Sequence, residues 1–266
     1  LSAGAAALLA VTAFSVLERR ALEARLAAGR CDAAGDLTGV WDADAKQAVE
    51  QAIVGSGVAY ALDTWPRVAA RLDEYSAAWS AMRVEACEAN HSGLQSDLLY
   101  ERRLACLGQR RDDLAALVDV YRAADRDVVT KAVKASFELR PLTACADPGL
   151  LLAAVAPPDD EAAASLAAAA RKDLAAVRAE LTTGRIKRAH ERITAALPAI
   201  TAAGYQPVIA EAQFLVGMIE DALGDYKAAV AGFEAALWAA EASRHDQVAA
   251  EAGIRLIFVV GYRQAK

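Results

Sequence analysis

The stretch LGDYKAAVAGFEAAL, residues 223–237, decides the fold of the C-terminal half of this chain. It opens with a Gly-Asp-Tyr turn at 224–226, after which small and bulky residues alternate at helical spacing. A related Gly-Arg-Ile turn at 184–186 lies 40 residues earlier, and Gly217 stands where two helices are expected to cross closely. Stacked helical hairpins require such a period of small residues, because each hairpin buries its apolar face only on its neighbours.

This period divides residues 161–266 into repeating helical hairpins. Units are predicted at 170–209 and 210–249, followed by an incomplete unit at 250–266. Pro198 lies inside a predicted helix of the first unit, which makes that copy more degenerate. The sequence therefore predicts the start of an α-solenoid.

Composition favours a wholly helical fold. Alanine dominates while glycine and proline are few among the 266 residues, and alanine has the lowest intrinsic cost in a helix. The fold class that we predict is all-α. A net charge of -6 and a pI near 5.2 leave no basic stripe for phosphate groups, so nucleic acid is not expected as a partner.

Residues 1–17 contain no charged side chain and are followed at once by charged residues at 18–20. A helix of this length rises about 25 Å, just short of the roughly 30 Å hydrocarbon core of a bilayer. We therefore predict a truncated transmembrane helix at 1–17, with a juxtamembrane helix and connector at 18–40. An Ala-rich buried helix is the alternative interpretation.

Four further helices are predicted ahead of the repeats from apolar stripes and capping residues. They span residues 42–54, 63–89, 96–124 and 126–139. Trp41, Trp65 and Trp79 are expected to build the core of this region, because indole rings bury a large apolar area. Two prolines and two aspartates at 156–160 then mark a linker, so that 41–155 forms a Cys-containing helical domain.

The four cysteines form no C-x-x-C pair, which disfavours a metal site. Their even number predicts two disulfides in an oxidising compartment. If the helices run up and down with the predicted lengths, the pairs are Cys31–Cys87 and Cys106–Cys145, one of three connectivities. A helical metal site using Cys87, His91 and Cys106 is the alternative.

Two indications of location disagree. The cysteines favour an extracytoplasmic position for the chain after about residue 20. Four arginines against two glutamates between residues 18 and 30 leave a basic flank, which the positive-inside rule would place in the cytoplasm. We predict a membrane-anchored, extracytoplasmic location and keep the cytoplasmic one as the alternative.

Residues 210–241 resemble a tetratricopeptide (TPR) repeat. The matching positions are Gly217, Leu223, Gly224, Asp225, Tyr226, Ala229, Phe233, Ala236 and Leu237. Gln213, Glu220 and Glu241 depart from the pattern, and the 40-residue period exceeds the usual 34.

This resemblance implies a concave groove, lined by the first helix of each hairpin, in which a protein or peptide partner would bind. The groove residues that it implies are Arg171, Leu174, Arg178, Glu211, Phe214, Met218, Glu251, Ile254 and Phe258. Their mixture of apolar and charged side chains favours an apolar peptide or a partner helix. Alternatively, Phe214, Met218 and Phe258 fill the core or pack against further repeats.

A second resemblance spans nearly the whole chain. It is carried by Cys31 with GVWD at 39–42, LDEYSAAWSAMRVEAC at 72–87, ERRLACLGQRRDDLAALVD at 101–119, ACAD at 144–147, and the closing ALWAAEASRHD and VVGYRQAK. These stretches look like the C-terminal region of a bacterial transmembrane serine/threonine-protein kinase family, in which a Cys-bearing helical region with TPR repeats follows one membrane helix. The chain has no Gly-rich phosphate loop, His-Arg-Asp loop or Asp-Phe-Gly motif, so the resemblance implies a kinase domain upstream of Leu1.

Together these patterns predict a non-catalytic sensor or protein-interaction region of a membrane serine/threonine kinase, without cofactor or metal. Membrane contact through residues 1–17 and a homodimer are part of this hypothesis. The first alternative is a stand-alone TPR adaptor or scaffold with free cysteines. A helical metal-binding protein or enzyme is the second alternative.

Overall fold

A computed structural model describes residues 31–33 and 35–263 of the chain. Every regular element in that part is helical, which confirms the predicted all-α class. The transmembrane helix predicted at 1–17 and much of the juxtamembrane segment predicted at 18–40 lie outside the described residues. Among the helices that the structure does describe, none is both long and apolar enough to span a bilayer.

Ten α-helices follow one another in the described part of the chain. They are α1 Ala43–Gly55, α2 Ala61–His91, α3 Asp97–Arg122, α4 Arg126–Phe137, α5 Pro148–Ala153, α6 Glu161–Thr182, α7 Ile186–Ala202, α8 Gln206–Leu223, α9 Tyr226–Ala242 and α10 Asp246–Phe258. A 3₁₀ turn, Leu142–Ala146, precedes α5, and a π-helical turn, Val259–Arg263, extends α10.

Six of these helices begin at an aspartate or serine that caps them. The side chains of Asp42, Ser96, Asp125, Asp147, Asp160 and Asp225 each accept a hydrogen bond from the backbone N–H three residues later. Such a cap satisfies one of the N–H groups that the first helical turn leaves without a partner. The cap predicted at Ser96 is confirmed as the start of α3. The second helix, α2, begins at Ala61 and has no side-chain cap, so its predicted start near residue 63 is two residues too late.

Helices α1 to α5 form a unit that we name the stapled bundle, because two disulfides cross it. Cys31 is bonded to Cys87 and Cys106 to Cys145, with Cα–Cα distances of 5.5 and 5.4 Å. This is the connectivity that the sequence predicts, and no free cysteine occurs among the described residues. The sulfur atoms of Cys31 and Cys87 lie within 4.8 Å of a ring nitrogen of His91, but a sulfur held in a disulfide is not the thiolate that binds metals.

The core of the stapled bundle is built around large aromatic side chains with satisfied polar ends. Trp41 and Trp79 are buried, and Trp65 packs against them while half-buried. The Trp79 indole Nε1 donates to the Leu107 carbonyl at 2.8 Å, and the buried Tyr121 hydroxyl donates to the Ala132 carbonyl at 2.6 Å. Each ring therefore buries apolar area without leaving a polar atom unpaired.

Helices α6 to α10 form the hairpin region, in which α6 pairs with α7 and α8 with α9. The α8–α9 crossing is as close as the sequence predicts: a Cβ added to Gly217 would lie 2.6 Å from the Phe233 ring. One added to Gly232 would lie 2.7 Å from the Gly217 backbone nitrogen. Pro198 lies inside α7, which continues through it to residue 202.

The stapled bundle and the hairpin region are packed against each other along α3 and α6. Ala179 of α6 belongs to the core of the stapled bundle. The segment after α4, residues 138–141, reaches from the bundle across to the first helices of the hairpins. We call this contact zone the joint, and it contains the candidate site.

Candidate functional site

The first helices of successive hairpins, α6, α8 and α10, turn one face towards the joint. An open cleft of about 1020 Å³, counting the part that is open to solvent, lies between this face and residues 138–141. We name it the inner groove. Its walls combine Phe214, Met218, Leu181 and Val248 with the charged side chains of Arg178, Glu138, Glu251 and Arg255.

The residues that the TPR resemblance implies for a groove fall into three groups. Arg178, Glu211, Phe214, Met218 and Glu251 line the inner groove, whereas Arg171 lines a neighbouring cleft. Leu174 is 1% exposed and lies in the core between α6 and its neighbours. Ile254 and Phe258 point away from the groove: Ile254 is 66% exposed, and the Phe258 ring stacks on Tyr262.

Phe214 serves both as groove wall and as core. It is only 7% exposed, and its ring centroid lies 5.8 Å from that of Phe233. Met218 is half-buried at the edge of the same cluster. The apolar wall of the groove is therefore held in place by the α8–α9 packing behind it.

A second opening, the joint cleft, lies on the other side of Arg140. It encloses about 990 Å³, again counting the part open to solvent. It is bounded by α3, by α5, by residues 154–157 after α5, which we name the strap, by the start of α8, and by the turn between α9 and α10. Four residues, Arg140, Glu211, His245 and Gln247, line both clefts and therefore stand between them.

Arg140 of the stapled bundle makes the central ion pair of the joint. Its Nε and Nη2 donate to the two carboxylate oxygens of Asp113 at 2.7 and 3.0 Å. Its Nη1 lies 3.6 Å from Glu211 Oε2 on α8. One guanidinium thus links a carboxylate of the bundle to a carboxylate of the hairpin region.

Glu211 is 5% exposed and is surrounded by basic side chains. Besides Arg140, the Nε of Arg171 and the Nε2 of His245 each lie 3.7 Å from its Oε1. Burial alone raises the pKa of this carboxyl, but His245, Arg171 and Arg140 outweigh it and hold the pKa well below its usual value. Glu211 is therefore ionised at neutral pH.

Arg110 is the most buried arginine of the joint, at 4% exposed. Its Nε donates to the Pro141 carbonyl at 3.2 Å. Its Nη1 lies 3.9 Å from Asp113 Oδ2, beyond hydrogen-bond distance, and has no hydrogen-bond partner in the described part of the chain. Burial, together with the charge of Arg140, lowers the pKa of Arg110 to about 10.

The sequence analysis missed Arg110, Asp113 and Arg140 as members of a site. One signal was present: Arg110 stands on the apolar stripe of α3, three residues after Leu107 and four before Leu114. A charged side chain on a buried stripe must find a partner, so its position indicates a buried ion pair. Which residues complete the pair depends on tertiary packing between α3, Arg140 and α8.

Comparisons with protein-family models, with curated protein sequences and with solved structures find no match for this chain.

The arrangement at the joint is suited to binding. Its charged side chains hold one another in place through ion pairs, and each of the two clefts has its own apolar wall. Ser243, which lines the joint cleft, donates its hydroxyl to the Ala239 carbonyl at 2.7 Å. The Ser243 hydroxyl proton is therefore engaged in a hydrogen bond at the C-terminal end of α9.

Proposed function

We propose that the described region is a non-catalytic recognition module that binds a peptide or a helix of a partner protein in the inner groove. The observation that carries the proposal is the apolar wall of Phe214, Met218 and Val248 within an open cleft of about 1020 Å³. Binding clefts combine an apolar surface with a few charged groups that fix orientation, and this cleft has both.

The charges at the groove edges favour a partner with both signs of charge around an apolar centre. Arg178 and Arg255 line the groove together with Glu138 and Glu251. A helix that places apolar residues at three- and four-residue steps would cover Phe214 and Met218 while its flanking charges meet these groups. The resemblance of 210–241 to a TPR repeat supports this mode of binding.

We further propose that the module is the extracytoplasmic, signal-sensing part of a membrane serine/threonine-protein kinase. The two disulfides support an oxidising compartment. The Cys and Trp spacing that resembles such kinases supports the parentage. The DNA upstream of Leu1 tests it, since a reading frame with kinase motifs agrees with the proposal, and a start codon near Leu1 contradicts it.

Binding in the inner groove is tested with peptides selected from a phage-displayed random library against the full chain. The affinity of each selected peptide is measured by calorimetry for the native protein and for Met218→Glu. Met218 lies half-buried on the wall, so a carboxylate there should weaken apolar binding by at least about tenfold.

Leu62→Glu is the matched control, because Leu62 is 72% exposed on α2 in the stapled bundle. Peptides that bind Leu62→Glu like the native protein but lose affinity for Met218→Glu support the proposal. Peptides that bind Met218→Glu undiminished overturn it.

A further inference from the structure

We propose that the joint cleft binds an amphiphilic anion, a small carboxylate with an apolar chain, whose charged group rests against Arg110 and Arg171. This site is distinct from the inner groove. The two openings adjoin at Arg140, Glu211 and His245, and the apolar residues that line them differ.

The first argument is an excess of positive charge at the closed end of the cleft. Arg110, Arg140 and Arg171 are drawn together there around two carboxylates, those of Asp113 and Glu211. Arg102 and Arg244 also line the cleft, against Asp246 as the further carboxylate. Buried charges are normally matched by partners of opposite sign, so this surplus favours an anionic ligand.

The second argument is that the surplus arginines keep donors unused. The Nη1 of Arg110 lies 3.9 Å from Asp113 Oδ2 and the Nε of Arg171 lies 3.7 Å from Glu211 Oε1. Both distances exceed that of a hydrogen bond, so neither buried donor has a hydrogen-bond partner among the residues that the structure describes. The side chain of Arg110 is 4% exposed, and both residues line the cleft. A carboxylate bound between them would accept hydrogen bonds from donors that are otherwise left costly and unsatisfied.

The outer wall of the cleft explains why the anion should carry an apolar chain. This wall is made by α5 and the strap behind it, with Leu150, Leu151, Val155 and Pro157 lining the opening. Leu150 is 47% and Val155 41% exposed, so apolar surface beside the opening remains accessible to a ligand. The Tyr205 hydroxyl donates to the Val155 carbonyl at 3.2 Å and holds the strap over the opening.

The cation of Arg171 is already oriented for such a ligand. Its guanidinium lies over the Tyr205 ring at 5.3 Å, while its Nε faces Glu211 Oε1 at 3.7 Å. Stacking on an aromatic ring leaves the edge of a guanidinium available for a carboxylate. The charged end and the apolar end of the cleft therefore match the two ends of a fatty-acid-like molecule.

Calorimetric titration of the full chain with octanoate tests the proposal, with acetate and octan-1-ol as probes of each half of the ligand. Octanoate is expected to bind saturably at one site. Acetate lacks the chain and octan-1-ol lacks the charge, so each is expected to bind at least about tenfold more weakly. Absence of saturable octanoate binding, or equal binding of acetate, overturns the proposal.

Two variants place the binding in the joint cleft. Arg171→Gln removes one cation. Leu150→Asp places a negative charge, of the same sign as the ligand, on the exposed rim of the cleft, where the Leu150 side chain contributes little to the fold. Each should weaken octanoate binding by about tenfold or more, and Arg67→Gln, an exposed arginine of α2, should leave it unchanged. Binding that survives both Arg171→Gln and Leu150→Asp overturns the assignment to this cleft.

Discussion

The stapled bundle and the hairpin region are both all-helical, but they bury their surfaces in different ways. The bundle joins residues far apart in sequence. Its disulfides link residues 56 and 39 positions apart, and aromatic side chains donate hydrogen bonds to distant backbone carbonyls. The hairpin region relies on Ala and Gly at crossings between consecutive helices. The bundle is therefore fixed by long-range links, and the hairpins by the fit of neighbouring helices.

The joint between the two regions is held together neither by long-range covalent links nor by close packing of small residues. Its centre holds three buried ions, Arg110, Asp113 and Glu211, and the partly buried Arg140, where the regions on either side have apolar cores. Buried ion pairs contribute less stability than apolar packing of similar volume, but removing one partner is strongly unfavourable. We infer that this group of charges fixes how the two regions meet and so shapes both clefts.

Reduction of both disulfides should have the largest effect, and it should be confined to the bundle. Closing loops of 56 and 39 residues restricts the unfolded chain and raises its free energy by about 4 kcal/mol for each disulfide. Amide hydrogen exchange with and without reductant measures the change helix by helix. Faster exchange in α2 and α3 with little change in α8 and α9 is expected, and equal acceleration in all of them would contradict the comparison.

Asp113→Ala should have the next largest effect, because it leaves the buried Arg110 and the partly buried Arg140 without their shared carboxylate. We expect a loss of about 3–5 kcal/mol in the free energy of unfolding, measured by urea denaturation. Asp119→Ala is the matched control on the same helix, since Asp119 pairs with Arg122 at the surface. That change should cost at most about 1 kcal/mol. Similar losses for the two variants would show that the joint is not held by its buried charges.

Glu211→Gln should lower stability by about 2–3 kcal/mol at neutral pH, since it removes a charge that faces Arg140, Arg171 and His245. The depressed pKa of Glu211 means that its contribution is complete above the pKa of the unfolded chain and is lost as the pH falls towards the folded value. Urea denaturation at a series of pH values from 7 downwards should therefore show that the difference in unfolding free energy between the native protein and the variant becomes smaller below about pH 4. A difference that stays constant with pH would contradict an electrostatic origin of the stability that Glu211 contributes.

Gly232→Ala should have the smallest effect, and it tests the close-packing rule of the hairpin region. The new Cβ would lie 2.7 Å from the Gly217 nitrogen, so that α8 and α9 must separate, at a cost of about 1–2 kcal/mol. Gly253→Ala in α10 is the control, because a Cβ there meets no atom within 4 Å. It should stabilise the helix by about 0.5–1 kcal/mol. Thermal denaturation compares the two variants. An unchanged melting temperature for Gly232→Ala would contradict the close packing of α8 against α9.

Local chemistry explains which features could be predicted from the sequence. Helix starts depend on capping residues such as Asp42 and Ser96, whose partners lie three residues away. The crossing at Gly217 follows from the 40-residue period, and the disulfide connectivity follows from helix order and length. Each of these rests on spacing along the chain.

The candidate site could be predicted only in part, because it depends on contacts between regions. The resemblance to a TPR repeat indicates the face that carries Phe214 and Met218, but it does not reveal that Arg140 of the bundle bonds Asp113 and approaches Glu211. The short helix α5 was also missed, since its apolar run could equally belong to a loop. The joint cleft exists only once α5 and α3 meet the hairpins.

The most direct test of recognition through the inner groove is amide hydrogen exchange of the full chain with a selected peptide bound. The account predicts slower exchange in α8, in α10 and around residues 138–141, where the groove walls lie, with α1 and α2 unchanged. Slower exchange confined to α1 and α2, or to the exposed face around Trp238, would contradict it.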